Sequence, residues 1–272
     1  MLKPPVSAFI LTDRRGMIDL ATALGGPDIL RSGAAILSAA RTLRILVCTG
    51  FSVAGRPETD GPVGGLILAR ALRELKCPVA LVSYRDVLDI LTSTSGPQID
   101  VVDVPCGTHC ASVEGVPVTI EVCGQVADGT YRNMLHEDIS AVAPQFETAI
   151  GFHALVSVGD GGNEFGFGSA PVGWFERNRV LRPVSTCDYL VPAEVSNWGA
   201  LALVAALQVL SGVHLLPSPT EYQSLLDSLA RAGMVDGVLR ISQATEDGLK
   251  EGAGSRIVEA LDSWARGELR RE

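Results

Sequence analysis

Two glycine-rich segments of the sequence carry carboxylates that could do chemistry. The first covers residues 50–61 and the second covers residues 159–168. Their acidic residues are Glu58 and Asp60 in the first segment and Asp160 and Glu164 in the second. Glycines let the backbone take positive φ and let a ligand approach the main chain closely. Carboxylates held in such loops can bind a cation or move protons, so the two segments indicate a small-molecule site.

The first segment is predicted to join a buried strand at residues 44–49 to a helix at residues 62–75. The helix has apolar residues on one face and Pro62 in its first turn. Free N–H groups at such a helix start can hold an anion, although Thr59 or Asp60 could simply cap the helix. The segment matches neither the Walker A pattern nor the Rossmann glycine pattern, so no nucleotide cofactor is expected.

The second segment follows a predicted strand at residues 154–158. Five glycines in ten residues are costly to order, which favours a role for this backbone. Asp160, Asn163 and Glu164 offer oxygen ligands of the kind that suit Mg²⁺ or Mn²⁺. The spacing is not that of an EF-hand loop. The alternative is a tight structural crossover.

A third polar region combines Glu121, in an apolar strand context, with the turn-rich residues 128–134. A lone buried carboxylate is costly unless it is paired, and Arg132 is one candidate partner. A structural ion pair explains this pattern as well as a catalytic role does. Residues 106–110 (CGTHC) look like a metal motif, but a structural zinc site would need a fourth ligand.

The elements that must position these residues alternate between short β-rich runs and helices, after a mostly helical lead-in over residues 1–44. Further strands are predicted at residues 78–83, 99–104, 116–122 and 187–191, and further helices at residues 86–91, within 139–151, and from 219 onward. This alternation predicts an α/β fold, a three-layer sandwich with a mostly parallel, Rossmann-like central sheet and helical N- and C-terminal segments. We expect one domain over residues 1–272, with the ligand beyond the carboxyl ends of the strands.

Residues 198–216 contain no charged residue, which approaches the length of a membrane span. The stretch has polar residues within it and no basic flank, so it is predicted to be a buried core helix. Ser196 or Asn197 could cap its start, and the pair Ser211 and Gly212 could end it.

The composition, net charge and cysteine content of the chain exclude some classes of protein. The 272 residues are 47% hydrophobic, enough for a sizeable core, and the net charge is −9 with no basic stripe, so no nucleic-acid partner is expected. The six cysteines are predicted to be reduced thiols. The first residues lack a secretory signal pattern, so a cytoplasmic protein without a membrane partner is expected. The apolar tail could pack on the core or on a second copy of the chain.

At these same residues the chain resembles the C-terminal domain family of D-glutamate cyclase. The resembling blocks, in family order, are residues 49–62, Glu121, residues 128–134, 138–140, 159–166 and 195–199. The resemblance implies a hydro-lyase reaction, the cyclisation of D-glutamate to 5-oxo-D-proline with loss of water. In longer family members this domain follows a second domain that resembles a hydro-lyase.

Lactam formation needs a neutral amine and a γ-carboxyl group whose charge is neutralised, and a divalent cation could polarise that group. The catalytic candidates are Glu58, Glu121 and Glu164. The metal-ligand candidates are Asp60, Asp160 and Glu164, with Mg²⁺ or Mn²⁺ as the ion. The candidates for binding the substrate are Thr59, Gly61, Gly161, Gly162, Arg132, Asn133, Asn163, Ser196 and Asn197. Among them, Gly161 and Gly162 offer N–H groups for an oxyanion, and Arg132 or Asn133 could fix the α-carboxylate.

Two other classes of function stay open at the level of the sequence. One is a related metal-dependent enzyme acting on another small acidic or phosphorylated metabolite. The other is a non-catalytic module that binds an amino acid, which a ligand would stabilise without being consumed.

Overall fold

The computed structural model describes residues 6–12, 14–95 and 99–270. Residues 1–5 and 13 of the predicted lead-in lie outside the described residues. The strands are β1 (Ile45–Thr49), β2 (Ser52–Val53), β3 (Arg56–Pro57), β4 (Val79–Ser83), β5 (Asp100–Asp103), β6 (Val116–Ile120), β7 (His153–Gly159) and β8 (Thr186–Pro192). The helices are α1 (Ser7–Ile10), α2 (Met17–Ala23), α3 (Ile29–Ala39), α4 (Pro62–Glu74), α5 (Arg85–Ser95), α6 (Phe146–Ile150), α7 (Val172–Asn178), α8 (Ser196–Ser211), α9 (Pro219–Arg231) and α10 (Ala253–Leu269).

Within the described residues, six parallel strands form the central sheet in the order β5-β4-β1-β6-β7-β8. Val47 of β1 lies in register with Leu81 of β4 on one side and with Val118 of β6 on the other. After β1 the chain builds outward through β4 and β5, then returns to place β6 on the opposite side of β1. The gap between β1 and β6 is therefore the topological switch point, where open α/β sheets bind their ligands.

Alternate residues of the central strands pack on opposite faces of the sheet. In β1, Ile45 and Val47 belong to the large core that includes α4 and α8, whereas Leu46 and Cys48 pack in a second core with Phe146 of α6. Both faces are covered, as is usual for a parallel sheet, so the strands read as continuous apolar runs. The predicted three-layer α/β sandwich is confirmed.

Helix α8 is the apolar centre of the larger core, where it packs against α3, α4 and α10. Gly199 lets it approach the sheet closely, because a Cβ there would lie 2.4 Å from Cγ1 of Val158 in β7. The helix ends as predicted, with Gly212 in the left-handed conformation at its C-cap. Among the described residues, no helix has the length and apolarity needed to cross a membrane.

The predictions for the start of α4 and for the C-terminal tail were wrong. Helix α4 begins after Gly61 without a side-chain cap, and the hydroxyl of Thr59 donates instead to the carbonyl of Thr245 at 2.9 Å. The tail is not continuously helical, because residues 232–252 form an irregular segment between α9 and α10. This segment returns to the carboxyl edge of the sheet, where residue 235 pairs with Glu58 in an isolated bridge.

Candidate active site

A cavity of about 310 Å³ opens at the carboxyl edge of the sheet, at the β1–β6 switch point. Its lining comes from the loops after β1, β6 and β7, from the N-terminal segment through Arg15, and from the irregular segment before α10. The loops after parallel strands meet at one edge, which brings together regions that are far apart in the sequence.

Among the described residues, four buried carboxylic side chains line this cavity, and two more have oxygens within 4.8 Å of theirs. They are Glu58, Asp60, Glu121, Asp160, Glu164 and Asp247, which are 5%, 1%, 7%, 4%, 1% and 4% exposed respectively. Removing this many carboxylates from water is costly unless protons, cations or hydrogen-bond donors compensate. Different donors and charges surround each carboxylate, and they indicate a different role for each.

Asp60 is held by backbone N–H groups at the start of α8. Its Oδ1 accepts from the N–H of Asn197 at 2.7 Å and of Gly61 at 2.9 Å, and its Oδ2 accepts from the N–H of Ser196 at 2.8 Å. The N-cap of α8 is Val195, which has no capping side chain, so the cap predicted from Ser196 or Asn197 is supplied by Asp60 instead. A carboxylate at a helix N-terminus also interacts favourably with the helix dipole.

Glu164 is held in a similar way by its own loop. Its Oε1 accepts from the N–H of Gly161 at 2.6 Å and of Asp160 at 3.2 Å, and its Oε2 accepts from the N–H of Gly162 at 2.7 Å. The sequence suggested that the N–H groups of Gly161 and Gly162 could receive an oxyanion. In the structure these groups already have a partner, and Glu164 fixes the shape of the loop.

Glu121 follows β6 directly and lines the cavity. Its backbone has a φ of 49°, an uncommon conformation for a residue with a side chain, and it persists only where the surroundings hold it. Gly61 packs against it so closely that a Cβ at Gly61 would lie 2.6 Å from the Cβ of Glu121. The hydroxyl of Ser196 donates to Oε2 of Glu121 at 2.6 Å, which orients the carboxyl group.

Arg15 is a functional candidate that was not predicted from the sequence. It reaches the cavity from the N-terminal segment, where Arg14 pairs with Glu194 at 3.2 Å and anchors the chain. The guanidinium of Arg15 forms ion pairs with Asp160 and with Asp247, the latter at 2.7 Å between Nη1 and Oδ2. Nothing in the local sequence marks Arg15 as special, because its partners lie far away in the chain.

Asp247 was also not predicted from the sequence. Another buried carboxylate, Asp236, positions it. Asp236 accepts from the N–H groups of Val238 at 2.9 Å and Leu239 at 2.8 Å and from the hydroxyl of Thr245 at 2.7 Å. These bonds hold the turn that carries Asp247 to the cavity. The available signal was an acidic residue pair followed by a glycine at positions 246–248, a pattern like that of the other two loops.

The predicted substrate-binding residues Thr59, Ser196 and Asn197 are fully buried and do not line the cavity. The amide of Asn197 accepts from the N–H of Gly64 at 2.7 Å and donates to the carbonyl of Thr59 at 3.0 Å and to Glu246 at 2.8 Å. This network ties the starts of α4 and α8 together. The three residues position the carboxylates in the structure.

Of the other predicted substrate-binding residues, Asn133 and Asn163 line the cavity. Arg132 does not line it, and its guanidinium lies 3.5 Å from Asp128 and 3.9 Å from Asp138. The ion pair between Arg132 and Glu121 that the sequence suggested is therefore replaced by pairs within the 128–138 loop.

The electrostatics of the cavity favour protons or cations. Burial raises the pKa of Glu58, Asp60 and Glu121 well above its usual range, and repulsion between neighbouring carboxylates raises it further. The backbone N–H groups of Asn197 and Ser196 oppose this rise for Asp60. The pKa of Asp160 is raised in the same way, although Arg15 acts against the shift. Burial also raises the pKa of Glu164, and its backbone hydrogen bonds oppose this. Carboxyl groups tuned in this way are typical of sites that transfer protons.

Two triads of carboxylates could each hold a metal ion. In each triad the ligand oxygens lie within 4.8 Å of one another, and the triads are Asp60, Asp160 and Asp247, and Glu121, Asp160 and Glu164. All donors are carboxylate oxygens, which suit Mg²⁺ or Mn²⁺. Among the described residues, the cysteines and histidine of residues 106–110 contribute to neither triad.

The chain matches a known protein family over nearly all of its length. A family model described as "D-glutamate cyclase-like, C-terminal" matches residues 6–262, which include every segment that lines the cavity. The chain is also 28% identical over 211 residues to the human protein "D-glutamate cyclase, mitochondrial". That alignment covers 65% of this chain and 34% of the human protein, so the chain spans about a third of the length of this relative.

Proposed function

We propose that this chain, which belongs to the D-glutamate cyclase-like C-terminal family, is an enzyme that cyclises D-glutamate to 5-oxo-D-proline with loss of water. The observation that carries the proposal is the group of four buried carboxyl groups, Glu58, Glu121, Asp160 and Asp247, that line one cavity at the switch point of the sheet, with Asp60 and Glu164 beside them. The proposed reaction is taken from the names of the family and of the human relative, and the cavity contains groups that such a reaction needs.

The reaction moves two protons. The α-ammonium nitrogen of D-glutamate forms a bond to the γ-carbon and gives up two protons, while one γ-oxygen leaves and takes up two protons as water. No oxidant or reductant is involved. The site must therefore accept protons from nitrogen and return protons to oxygen, which is general acid–base catalysis.

Glu121 is the first candidate for these proton transfers. It lines the cavity, its pKa is raised by burial and by the neighbouring carboxylates, and Ser196 orients it. Glu58 lines the same cavity and has a pKa raised by burial and by Asp60, which makes it the second candidate. A carboxyl group whose pKa lies closer to neutrality can both take and return a proton at the working pH.

Arg15 is the group that would bind the α-carboxylate of the substrate. It lines the cavity, and the carboxylates that surround it keep its guanidinium charged, raising its pKa against the opposing effect of burial. Asp160 and Asp247 both pair with its Nη1, so the guanidinium is oriented before a ligand arrives. A guanidinium in a fixed orientation binds a carboxylate through two parallel hydrogen bonds.

A divalent cation would fit among the buried carboxylates at the cavity. Asp160 and Asp247 would hold it with Asp60, or Asp160 would hold it with Glu121 and Glu164. When bound, such an ion supplies positive charge that makes a γ-carboxylate a better electrophile. Asp160 belongs to both triads and is the residue on which cation binding should depend most.

Chiral chromatography of D-glutamate, L-glutamate and 5-oxo-D-proline after incubation with the purified protein tests the proposal. The incubations are run after chelation and again with Mg²⁺ or Mn²⁺ added. We expect D-glutamate and 5-oxo-D-proline to interconvert, and we expect Glu121→Gln to lose this activity. The matched control is Glu259→Gln, an exposed carboxylate on α10. Folded protein that converts none of these compounds, with or without the ions, would show that the proposed function is wrong.

A further inference from the structure

The cavity combines a carboxylate-rich floor with several apolar side chains elsewhere in its lining. The floor carries Arg15, Glu58, Glu121, Asp160 and Asp247. The rest of the lining carries the apolar side chains of Phe51, Val53, Met134, Leu135, Ile139, Val142 and Val238, together with the exposed charged side chains of Glu137 and Arg240. A ligand with a polar end and an apolar end would contact both the floor and these apolar side chains.

Three apolar side chains of the lining, which we call the apolar rim, are exposed to solvent on two loops that contain hydrogen-bonded turns. Met134, Leu135 and Val238 are 43%, 66% and 49% exposed, although all three line the cavity. Asn133 Oδ1 accepts from the N–H of Leu135 at 3.0 Å, and Asp236 Oδ1 accepts from the N–H of Val238 at 2.9 Å. Two hydrogen-bonded turns thus place apolar side chains at the same opening, where covering them with a ligand would be favourable.

D-glutamate matches the floor but not the rim. Both ends of D-glutamate are charged, and its short methylene chain lies between them, so it has no apolar group to extend toward Leu135 and Val238. The cavity volume of about 310 Å³ lies at the lower end of the range of roughly 300–1,000 Å³ that proteins use for ligands of drug size. With the α-carboxylate at Arg15, the apolar rim is left for a group attached beyond the γ-carbonyl.

We infer that the cavity also takes γ-D-glutamyl amides whose γ-nitrogen carries an apolar substituent, and that it releases them as 5-oxo-D-proline and the free amine. This inference rests on the proposed function, because it uses the same lactam-forming step. The apolar substituent would lie against Met134, Leu135 and Val238, and the D-glutamyl part would lie on the floor.

The step balances with the groups already described. The α-nitrogen forms a bond to the γ-carbon and loses two protons, the bond between the γ-carbon and the amide nitrogen breaks, and the leaving amine takes two protons and departs as an ammonium cation. Glu121 and Glu58 would carry these protons. An ammonium product is also complementary to a floor on which carboxylates outnumber the guanidinium of Arg15.

A pair of matched substrates tests the inference. γ-D-Glutamyl-n-hexylamide and γ-D-glutamyl-methylamide release alkylamines of similar basicity, so they differ mainly in apolar length. We expect kcat/KM for the hexylamide to exceed that for the methylamide by about tenfold or more, since burying added methylenes in an apolar pocket has effects of this order. The product must be 5-oxo-D-proline together with an equal amount of amine.

Variants on the exposed rim locate the effect. Leu135→Ser should lower the ratio of hexylamide to methylamide kcat/KM, and because Leu135 is 66% exposed the change should not disturb folding. The control is Phe152→Ser, at a position that is 53% exposed and precedes β7 at the opposite edge of the sheet, and it should leave the ratio unchanged.

The possible outcomes separate the inference from the proposed function. Conversion of D-glutamate with no conversion of either amide, or with a ratio near one, would overturn the inference and leave the proposed function standing. Conversion of the hexylamide without conversion of D-glutamate would support the inference and refute D-glutamate as the substrate. Release of D-glutamate with the amine would show hydrolysis and contradict cyclisation. Conversion of none of the compounds by folded protein would overturn both.

Discussion

The loop after β1 and the loop after β7 each supply two acidic residues, and in each loop one acid holds backbone while the other faces the cavity. Asp60 and Glu164 each accept three backbone N–H hydrogen bonds. Glu58 and Asp160 line the cavity instead. The sequence does not distinguish these four side chains, but their hydrogen-bond partners give them different roles. We call Asp60 and Glu164 the anchoring carboxylates, and Glu58, Glu121, Asp160 and Asp247 the cavity carboxylates.

The largest effect is expected on activity when a cavity carboxylate is neutralised. Glu121→Gln should slow the formation of 5-oxo-D-proline by about 10²- to 10⁴-fold, because general acid–base groups contribute on this order. Glutamine can still accept the hydrogen bond from Ser196, so the fold should be kept. Turnover is measured by chiral chromatography and folding by circular dichroism. Turnover close to that of the unaltered protein would remove Glu121 from the proton transfers.

An anchoring carboxylate should affect stability first. Glu164→Ala leaves three buried N–H groups in the 160–162 loop without their acceptor, so the free energy of unfolding should fall by about 2–4 kcal/mol. Urea denaturation measures this change. Glu176→Ala, at an exposed position of α7, is the control and should change the free energy of unfolding by about 0.5 kcal/mol or less. A Glu164 variant as stable as the control would contradict the division into two classes.

The cavity carboxylates should make the protein less stable as pH rises. The pKa of Glu58 and of Glu121 is raised in the folded state, so the folded protein keeps protons that the unfolded chain releases above about pH 4.5, the ordinary pKa of the group. Each such proton lowers the free energy of unfolding by about 1.4 kcal/mol per pH unit until the folded pKa is reached. Denaturation between pH 5 and pH 8 in the presence of a chelator measures the slope.

Glu58→Gln should reduce that slope, whereas Glu259→Gln should not, because Glu259 is exposed. A free energy of unfolding that rises steadily between pH 5 and pH 8 would contradict the raised pKa of the cavity carboxylates.

The smallest effect is expected for Arg132, which the sequence suggested as a ligand for the substrate. Arg132 lies outside the cavity, and its partners Asp128 and Asp138 have side chains that are 59% and 49% exposed. Exposed ion pairs contribute about 1 kcal/mol or less, so Arg132→Ala should change the free energy of unfolding little. Turnover of D-glutamate should also stay near that of the unaltered protein. By contrast, Arg15→Ala should raise KM for D-glutamate. A raised KM in Arg132→Ala with an unchanged KM in Arg15→Ala would show that Arg132, and not Arg15, binds the substrate.

The fold could be predicted from the sequence because its signals are local. Burial is indicated directly by the apolar, β-branched sequence of β1 and by the uniformly apolar sequence of α8. Gly212 marks the end of α8. The alternation of these elements is enough to predict a parallel sheet, and the carboxyl ends of its strands then predict where the acidic loops meet.

The division of roles within the site could not be predicted in the same way. Asp60 is an anchor only because the start of α8 lies against it, more than a hundred residues along the chain. Arg15 and Asp247 enter the cavity from opposite ends of the sequence, and nothing in the sequence around either residue shows that the two meet. Such roles depend on which N–H groups and charges the fold brings together, and hydrophobic periodicity carries no information about them.

The most direct test of the two classes compares Asp60→Asn with Glu58→Gln, two neutralising changes in one loop, by their free energies of unfolding in urea at pH 7. Asparagine would turn an NH₂ group toward backbone N–H groups at the start of α8, so Asp60→Asn should lose about 2 kcal/mol or more. Glu58→Gln should be at least as stable as the unaltered protein, because burial and Asp60 already disfavour the charged form of Glu58. Equal losses of unfolding free energy in the two variants, or a larger loss in Glu58→Gln, would contradict the division into anchoring and cavity carboxylates.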